Sequence, residues 1–293
     1  MGDTLPPVET ITKLTLLPSR AKESNKGDFG KVLVVAGSRG MSGAAILCAS
    51  AALRGGAGLV KAATPVDVLT AVAAGNPCYM TVPLPCDEQG RVSAAAAAEL
   101  VHLAEGHDVL AVGPGLGRSP DVHKVVHQLL EKTRVSMVLD ADGLNAMEGQ
   151  TNRLQGRPAP LILTPHPGEF ARLLGRDVAT VQANRVDHAR RFAFDHQLIL
   201  VLKGNGTIVT DGRRIYVNDT GNPGMATGGT GDVLTGVVAA LLGQGLEPFS
   251  AAQLGVYLHG LAGDLARDAV GEVSMIASDL LIYLPEAFQH VNP

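Results

Sequence analysis

The sequence predicts an α/β fold: a mostly parallel central sheet with helices on both faces. Three observations carry this. Short, continuous apolar runs of strand length alternate with helix-length segments, the pattern of strands buried on both sides. Five of the runs end in glycine-rich or polar clusters. The 293 residues are 46% hydrophobic and 18% charged, enough to bury a large core and too apolar for disorder.

The elements follow in order. Residues 31–36 (KVLVVA) read as a buried strand and 42–53 as a helix of small apolar residues. Residues 58–63 read as a strand and 65–74 as a short helix opened by Pro65, since proline suits the first helical position. Residues 93–104 form an Ala-rich helix with Ser93 as its N-cap. A strand at 108–112, an amphipathic helix at 120–132 and a strand at 136–139 come next. A strand at 161–163, a charged helix at 179–195 and a buried strand at 198–202 follow. Asp211-Gly212 joins 207–210 to 214–217 as a hairpin, and helices at 230–242, 250–267 and 276–287 close the chain. Without an internal repeat or a Pro/Ser-rich linker, residues 26–293 are expected to form one domain behind a polar N-terminal arm of residues 1–25.

Charge and composition exclude several functions. Lys plus Arg is 24 and Asp plus Glu 28, a net charge of −4, which argues against nucleic-acid binding. Aromatics are 3% with no Trp, so a base-stacking platform is not expected. Cys48, Cys78 and Cys86 are odd in number and lack C-x-x-C spacing; they read as free thiols in a reducing compartment. The first twenty residues show no apolar signal core, and no apolar run reaches the roughly 18 residues of a membrane span. A soluble, cytoplasmic protein is expected.

In open α/β sheets ligands bind beyond the carboxyl ends of the strands, where the clusters fall: Gly37–Ala44, Gly113–Gly117, Asp140–Asn145, Thr164–Glu169 and Lys203–Thr207. The sharpest segment is Gly221–Asp232 (GNPGMATGGTGD), followed at once by an apolar helical run. Its glycines let backbone N–H groups converge, and the helix adds its positive end, which makes an anion hole suited to phosphoryl oxygens. Asp232 at its mouth suits a base that accepts a hydroxyl proton during phosphoryl transfer. Alone, the segment also fits a glycine loop with Asp232 as a helix cap. The run 203–207 (KGNGT) lets a flat nucleotide lie close, with Lys203 and Thr207 toward phosphate, or is a strand-to-hairpin turn. His166, between two prolines, is a turn residue or a ring that meets a ligand.

Other motifs are rejected. No P-loop or G-x-S-x-G elbow occurs, and Gly37, Gly40 and Gly43 have the wrong spacing for a dinucleotide fingerprint. His123 and His127 lack the Glu of a zinc helix and read as a solvated face; His259 reads as a satisfied core histidine.

These residues carry a resemblance. KVLVVAGSRGMSGAA (31–45), GPGLG (113–117), DADGLN (140–145), ILTPHPGEFARLLG (162–175), VLKGNGT (201–207) and NPGMATGGTGDVLTG (222–236) resemble the ADP/ATP-dependent NAD(P)H-hydrate dehydratases of the ribokinase-like superfamily. The resemblance implies a three-layer α/β/α fold and a repair reaction. NADH or NADPH hydrated at C6 (NADHX, NADPHX) is phosphorylated on the new hydroxyl, phosphate leaves, and the dihydropyridine is restored. It implies Asp232 as catalytic base and substrate contact, and Gly229, Thr230 and Gly231 as anion hole. Lys203, Gly204, Asn205, Gly206, Thr207 and Gly231 would line the nucleotide; Ala44, Gly115 and His166 would touch the hydrated dinucleotide. Asp142, Asn145 and Glu169 would organise phosphate and Mg²⁺ through water, without a dedicated protein cage. ADP is favoured over ATP as donor, because a stand-alone domain looks bacterial. The resemblance further implies a separate NAD(P)HX epimerase as working partner and a homo-oligomer, a tetramer. A vitamin-precursor alcohol kinase of the same superfamily is the alternative, disfavoured by TPHPGEF. A nucleotide sensor is disfavoured by the intact Asp232, and a nicotinamide oxidoreductase by the fingerprint spacing.

Overall fold

A computed structural model of the chain describes residues 5–291. The strands are β1 (Glu9–Thr10), β2 (Lys31–Val35), β3 (Leu59–Pro65), β4 (Met80–Leu84), β5 (Val109–Val112), β6 (Ser136–Leu139), β7 (Leu161–Leu163), β8 (Ile199–Leu202), β9 (Ile208–Thr210) and β10 (Arg214–Val217). The helices are α1 (Ser42–Arg54), α2 (Leu69–Gly75), α3 (Ala97–Ala104), α4 (Pro120–Lys132), α5 (Ala141–Asn145), α6 (Pro167–Leu174), α7 (Val178–Ala183), α8 (Arg185–His196), α9 (Thr230–Gly243), α10 (Pro248–Val270) and α11 (Ala277–Val291).

All ten strands join one sheet in the order β1-β10-β9-β8-β7-β6-β5-β2-β3-β4. From β8 to β4 the neighbours run parallel, and β9 is antiparallel to β8 and β10. Successive side chains leave a strand on opposite faces, so the sheet separates two cores. Val32, Val34, Val109, Ala111 and Val138 pack with α1, α9, α10 and α11. Leu33, Val35, Leu110, Val112 and Leu139 pack with α3, α4, α6 and α8. The expected three layers and parallel sheet are therefore present. β2 lies between β3 and β5, so the chain turns back across β2 there. That reversal opens the crevice in which α/β sheets bind ligands.

Local chemistry explains where the elements differ from expectation. Pro65 does not open a helix; it ends β3, and α2 begins at Leu69 after a 3-10 turn. Ser93 precedes a 3-10 turn without a side-chain cap bond, and the Ala94 N–H that opens the turn donates to Asp121 Oδ2 of α4 (2.8 Å). The single helix expected at 179–195 is two, α7 and α8, broken at Asn184 (φ −143°). β4 escaped notice because it contains Pro83, which an edge strand tolerates. His127 is no free surface residue: its Nε2 meets the Ala146 carbonyl (2.8 Å). Residues 9–20 run back over the domain, with Ile11, Leu14 and Leu17 against the α9–α10 core. Arg20 donates to the Gly56 carbonyl (2.7 Å). Cys48 is buried, Cys86 half-buried and Cys78 exposed, all free. Among the described residues no helix is long and apolar enough to cross a membrane.

Candidate active site

The five clusters predicted at strand ends follow β2, β5, β6, β7 and β8. These strands are mutually parallel, so the clusters converge on one edge of the sheet. At the crevice, the Gly37 N–H donates to Pro114 O and Ser38 Oγ to Gly115 O (both 2.8 Å). Gly115 has φ +62°, and a Cβ there would stand 2.8 Å from the Ala44 Cβ, so Ala44 and Gly115 face each other closely.

The Gly117 N–H donates to Asp142 Oδ2 (2.8 Å), Asn145 Nδ2 to Asp142 Oδ1 (3.0 Å), and Arg172 Nη2 to Asn145 Oδ1 (2.9 Å). This chain links the β5 loop to α6. His166 is the N-cap of α6, not a turn residue: its Nδ1 accepts the Gly168 and Glu169 N–H groups (3.0 and 3.4 Å). Glu169 reciprocates, taking the His166 N–H on Oε2 (2.8 Å), which completes a capping box with Pro167 at N1. With Nδ1 accepting, the neutral ring carries its proton on Nε2, 3.5 Å from Glu169 Oε1. Burial, then the charges of Lys203 and Arg172, lowers the His166 pKa and keeps that ring neutral.

The charged centre is built on Asp140, the first residue after β6. Its carboxylate is buried and takes Lys203 Nζ on Oδ1 (2.9 Å) and Thr235 Oγ1 on Oδ2 (2.7 Å). Such pairing is what a buried charge requires. Lys203 Nζ also lies 3.9 Å from Glu169 Oε2. A Cβ on Gly231 would stand 3.1 Å from Lys203 Nζ, so the glycine at the head of α9 leaves room for that ammonium. The next residue, Ala141, takes φ +48°, the strained backbone that functional sites retain.

Gly229 (φ +96°) is the N-cap of α9, which makes Thr230, Gly231 and Asp232 its first three helical residues. Val233 N–H is the first to reach back, to Gly229 O (3.2 Å). The preceding N–H groups therefore head the helix without intrahelical acceptors, as an anion hole requires. The Thr230 hydroxyl is engaged elsewhere, on Met225 O and Thr227 O (3.1 and 3.2 Å). Burial, reinforced by Asp140 and opposed by Lys203, pushes the Asp232 carboxyl up to about 7. Burial likewise pushes Glu169 up to about 7, against the pull of Lys203. Burial alone would lower the Lys203 pKa, but Asp140 and Glu169 outweigh it and raise it. The site thus holds two carboxyls able to exchange protons near neutrality around a fixed cation.

Gly204, Asn205, Gly206 and Thr207 form the rim loop leaving Lys203. Arg185 clamps this loop through Lys203 O (3.2 Å) and Asn205 O (2.6 Å), and Thr207 Oγ1 closes it on Gly204 O (2.9 Å). Asp140, Thr235, Arg172 and Arg185 were not singled out from sequence. Only Asp140 had a usable signal, its place directly after a strand. Among the described residues no cluster of three or more His, Cys, Asp or Glu side chains is arranged to hold a metal.

Fold and site together define a ribokinase-like α/β/α domain whose glycine-rich loop heads a core helix. A ribokinase of Arabidopsis thaliana shares the fold alone (TM-score 0.56, 13% identity, 88% of this chain and 98% of that one). The family model described as NAD(P)H-hydrate dehydratase matches residues 32–286, and the chain belongs to that family. A bifunctional NAD(P)H-hydrate repair enzyme of Moorella thermoacetica is 48% identical over 278 residues, 94% of this chain and 52% of the relative; the chain thus spans about half of that protein's length. An ADP-dependent (S)-NAD(P)H-hydrate dehydratase of Neisseria meningitidis is 43% identical over 270 residues, 90% of this chain and 84% of the relative. The crystal structure of an ADP/ATP-dependent NAD(P)H-hydrate dehydratase from Bacillus subtilis, co-crystallized with ATP/Mg²⁺, matches with TM-score 0.82, 34% identity and 94% coverage of both chains.

Proposed function

We propose that the chain dehydrates (S)-NADHX and (S)-NADPHX to NADH and NADPH with a nucleotide as phosphoryl donor. ADP, giving AMP and phosphate, is favoured over ATP. The observation that carries the reading is Asp232: a carboxyl held near 7 in the first turn of α9, among free helix-terminal N–H groups. The names of the Neisseria and Bacillus relatives support the substrate and the donor.

In this reading Asp232 accepts the C6 hydroxyl proton while that oxygen attacks the terminal phosphorus of the nucleotide and the bond to the departing AMP oxygen breaks. The N–H groups of Gly229, Thr230 and Gly231 take up charge on the transferring phosphoryl group. The new phosphate then leaves C6, pushed by the ring-nitrogen lone pair, and loss of a C5 proton restores the double bond. The loop 203–207 lines the nucleotide, while Ala44, Gly115 and the His166 ring hold the hydrated dinucleotide. Mg²⁺, when bound, neutralises charge on the nucleotide phosphates. Asp142 and Glu169 are already hydrogen-bonded to backbone, so with Asn145 they fit a water-mediated hold on that ion better than direct ligation. An NAD(P)HX epimerase activity would supply the S epimer, and the working form would be a homo-oligomer.

The test is to mix the protein with Mg²⁺, enzymatically hydrated NADH, and ADP or ATP in separate cuvettes, following the NADH absorbance band. A rise that requires nucleotide is expected, faster with ADP. No rise with either donor, on substrate proven competent by a control enzyme, would replace the reading with an alcohol kinase.

A further inference from the structure

The anion-hole segment leans on α10. A Cβ on Gly260 would stand 2.2 Å from Thr220 Oγ1, and one on Gly263 2.3 Å from Met225 Sδ, so the loop lies directly on the helix backbone. Beside Gly263, Asp264 reaches the loop with both carboxylate oxygens. The Gly221 N–H donates to Oδ2 (2.8 Å) and Asn222 Nδ2 to Oδ1 (3.0 Å). Asn222 Oδ1 in turn accepts the Gly224 N–H (3.1 Å), capping the 3-10 turn Pro223–Met225. The Met225 carbonyl at the end of that turn accepts the Thr230 hydroxyl (3.1 Å). One turn of α10 earlier, half-buried His259 closes the far end: Nε2 donates to the Thr230 carbonyl (2.8 Å). Burial drives the His259 pKa down to about 4, so its ring stays neutral. A continuous hydrogen-bonded path therefore runs from Asp264 to the first residue of α9.

We propose that Asp264 is a positioning residue for the anion hole, setting through Gly221 and Asn222 where the N–H groups of residues 229–231 stand. This rests on the reading of that loop as the phosphoryl cradle. Asp264 touches no reacting atom. Its effect comes through geometry, since donors displaced by about 1 Å can cost about 10²-fold in rate.

The polarity of the contacts supplies the test. The partners of Asp264 are all donors: the Gly221 N–H, Asn222 Nδ2 and, at 3.4 Å on Oδ1, the half-exposed Arg267 Nη1; toward the loop the position needs two acceptors, and an amide offers one. In Asp264→Asn one contact is lost whichever way the amide turns. Adding Asn222→Asp makes position 222 an acceptor for the amide N–H while it still caps Gly224, and the pair keeps the total charge. The expected result for Asp264→Asn is a 10- to 100-fold loss in turnover, mostly in kcat, with faster amide exchange across residues 221–231. The pair should recover about tenfold and restore exchange protection. A single variant equal to the wild-type protein in turnover and exchange would overturn the proposal, as would a pair no better than the single variant. Amide exchange needs no substrate. A wild-type protein without dehydratase turnover would sink the functional reading while exchange still decides the role of Asp264.

Discussion

The two helical layers are packed by different means. On the face carrying α1, α9, α10 and α11, backbones meet almost directly. A Cβ on Gly236 would stand 2.1 Å from the Cys48 carbonyl oxygen, and one on Gly255 2.7 Å from Val238 Cγ2. α1 adds Ala45, Ala49, Ala51 and Ala52 to the contact. On the opposite face Leu100, Leu129, Leu130, Phe170 and Phe192 fill the space, with Phe170 edge-on to Phe192 at 5.4 Å between ring centroids. Side chains of that kind can repack around a change; apposed backbones cannot. The rigid layer is the one that carries the glycine loop at the head of α9. The padded layer delivers polar groups from helix starts, Asp142 on α5 and His166 and Glu169 at α6.

The largest expected effect lies at the head of the rigid layer. Asp232→Asn should cut turnover by about 10²–10⁴-fold with nucleotide binding retained, measured by steady-state rates and calorimetry. Near-full activity would remove Asp232 as the base. Next is a matched pair of core changes. Leu129→Ala in the padded layer should cost about 2–5 kcal/mol in denaturant melts yet leave kcat per folded molecule unchanged. Gly236→Ala must push α1 from α9 and should lower both stability and kcat. If both variants lose kcat alike, the contrast between the layers fails.

Acid should act through the same head of α9. Because Asp232 ionises near 7, kcat/KM should fall about tenfold per pH unit below that value. Stability runs the other way. The folded state holds this proton up to about 7, whereas an unfolded chain releases it in the ordinary carboxylate range. The stability it contributes is complete in acid and lost as pH rises through about 7. Asp232→Asn should then melt about 2–4 °C above wild type at pH 8 and with it near pH 4, read by thermal scans. The smallest effect is in the padded layer: His166→Ala should raise KM for the hydrated dinucleotide about tenfold with kcat little changed. It should also cost about 1 kcal/mol as a lost helix cap. An unchanged KM would separate His166 from the substrate.

Much of the site was legible because its chemistry is local. Gly221–Asp232 before an apolar run announces a glycine loop opening a helix, and Gly229 at φ +96° is the residue such a turn needs. His166 was placed at the right strand end, but its turn alternative gives way to a helix cap. His is an unusual cap, and the Glu169 three residues on, which marks a capping box, passed unnoticed. Asp140 stayed hidden because its importance comes from partners 63 and 95 residues away, Lys203 and Thr235.

The order of strands and helices, the burial of the parallel strands and the gathering of glycines at their carboxyl ends follow from the sequence by itself, because periodicity, proline and glycine act over a few residues. The family resemblance, too, was readable from motifs in line. Only the tertiary structure decided which charges meet. It put Lys203 between Asp140 and Glu169, buried Asp232 until its carboxyl ionises near 7, and laid Asp264 of α10 under the glycine loop. Desolvation and pairing depend on what surrounds a group in space, and no local pattern in the chain encodes that.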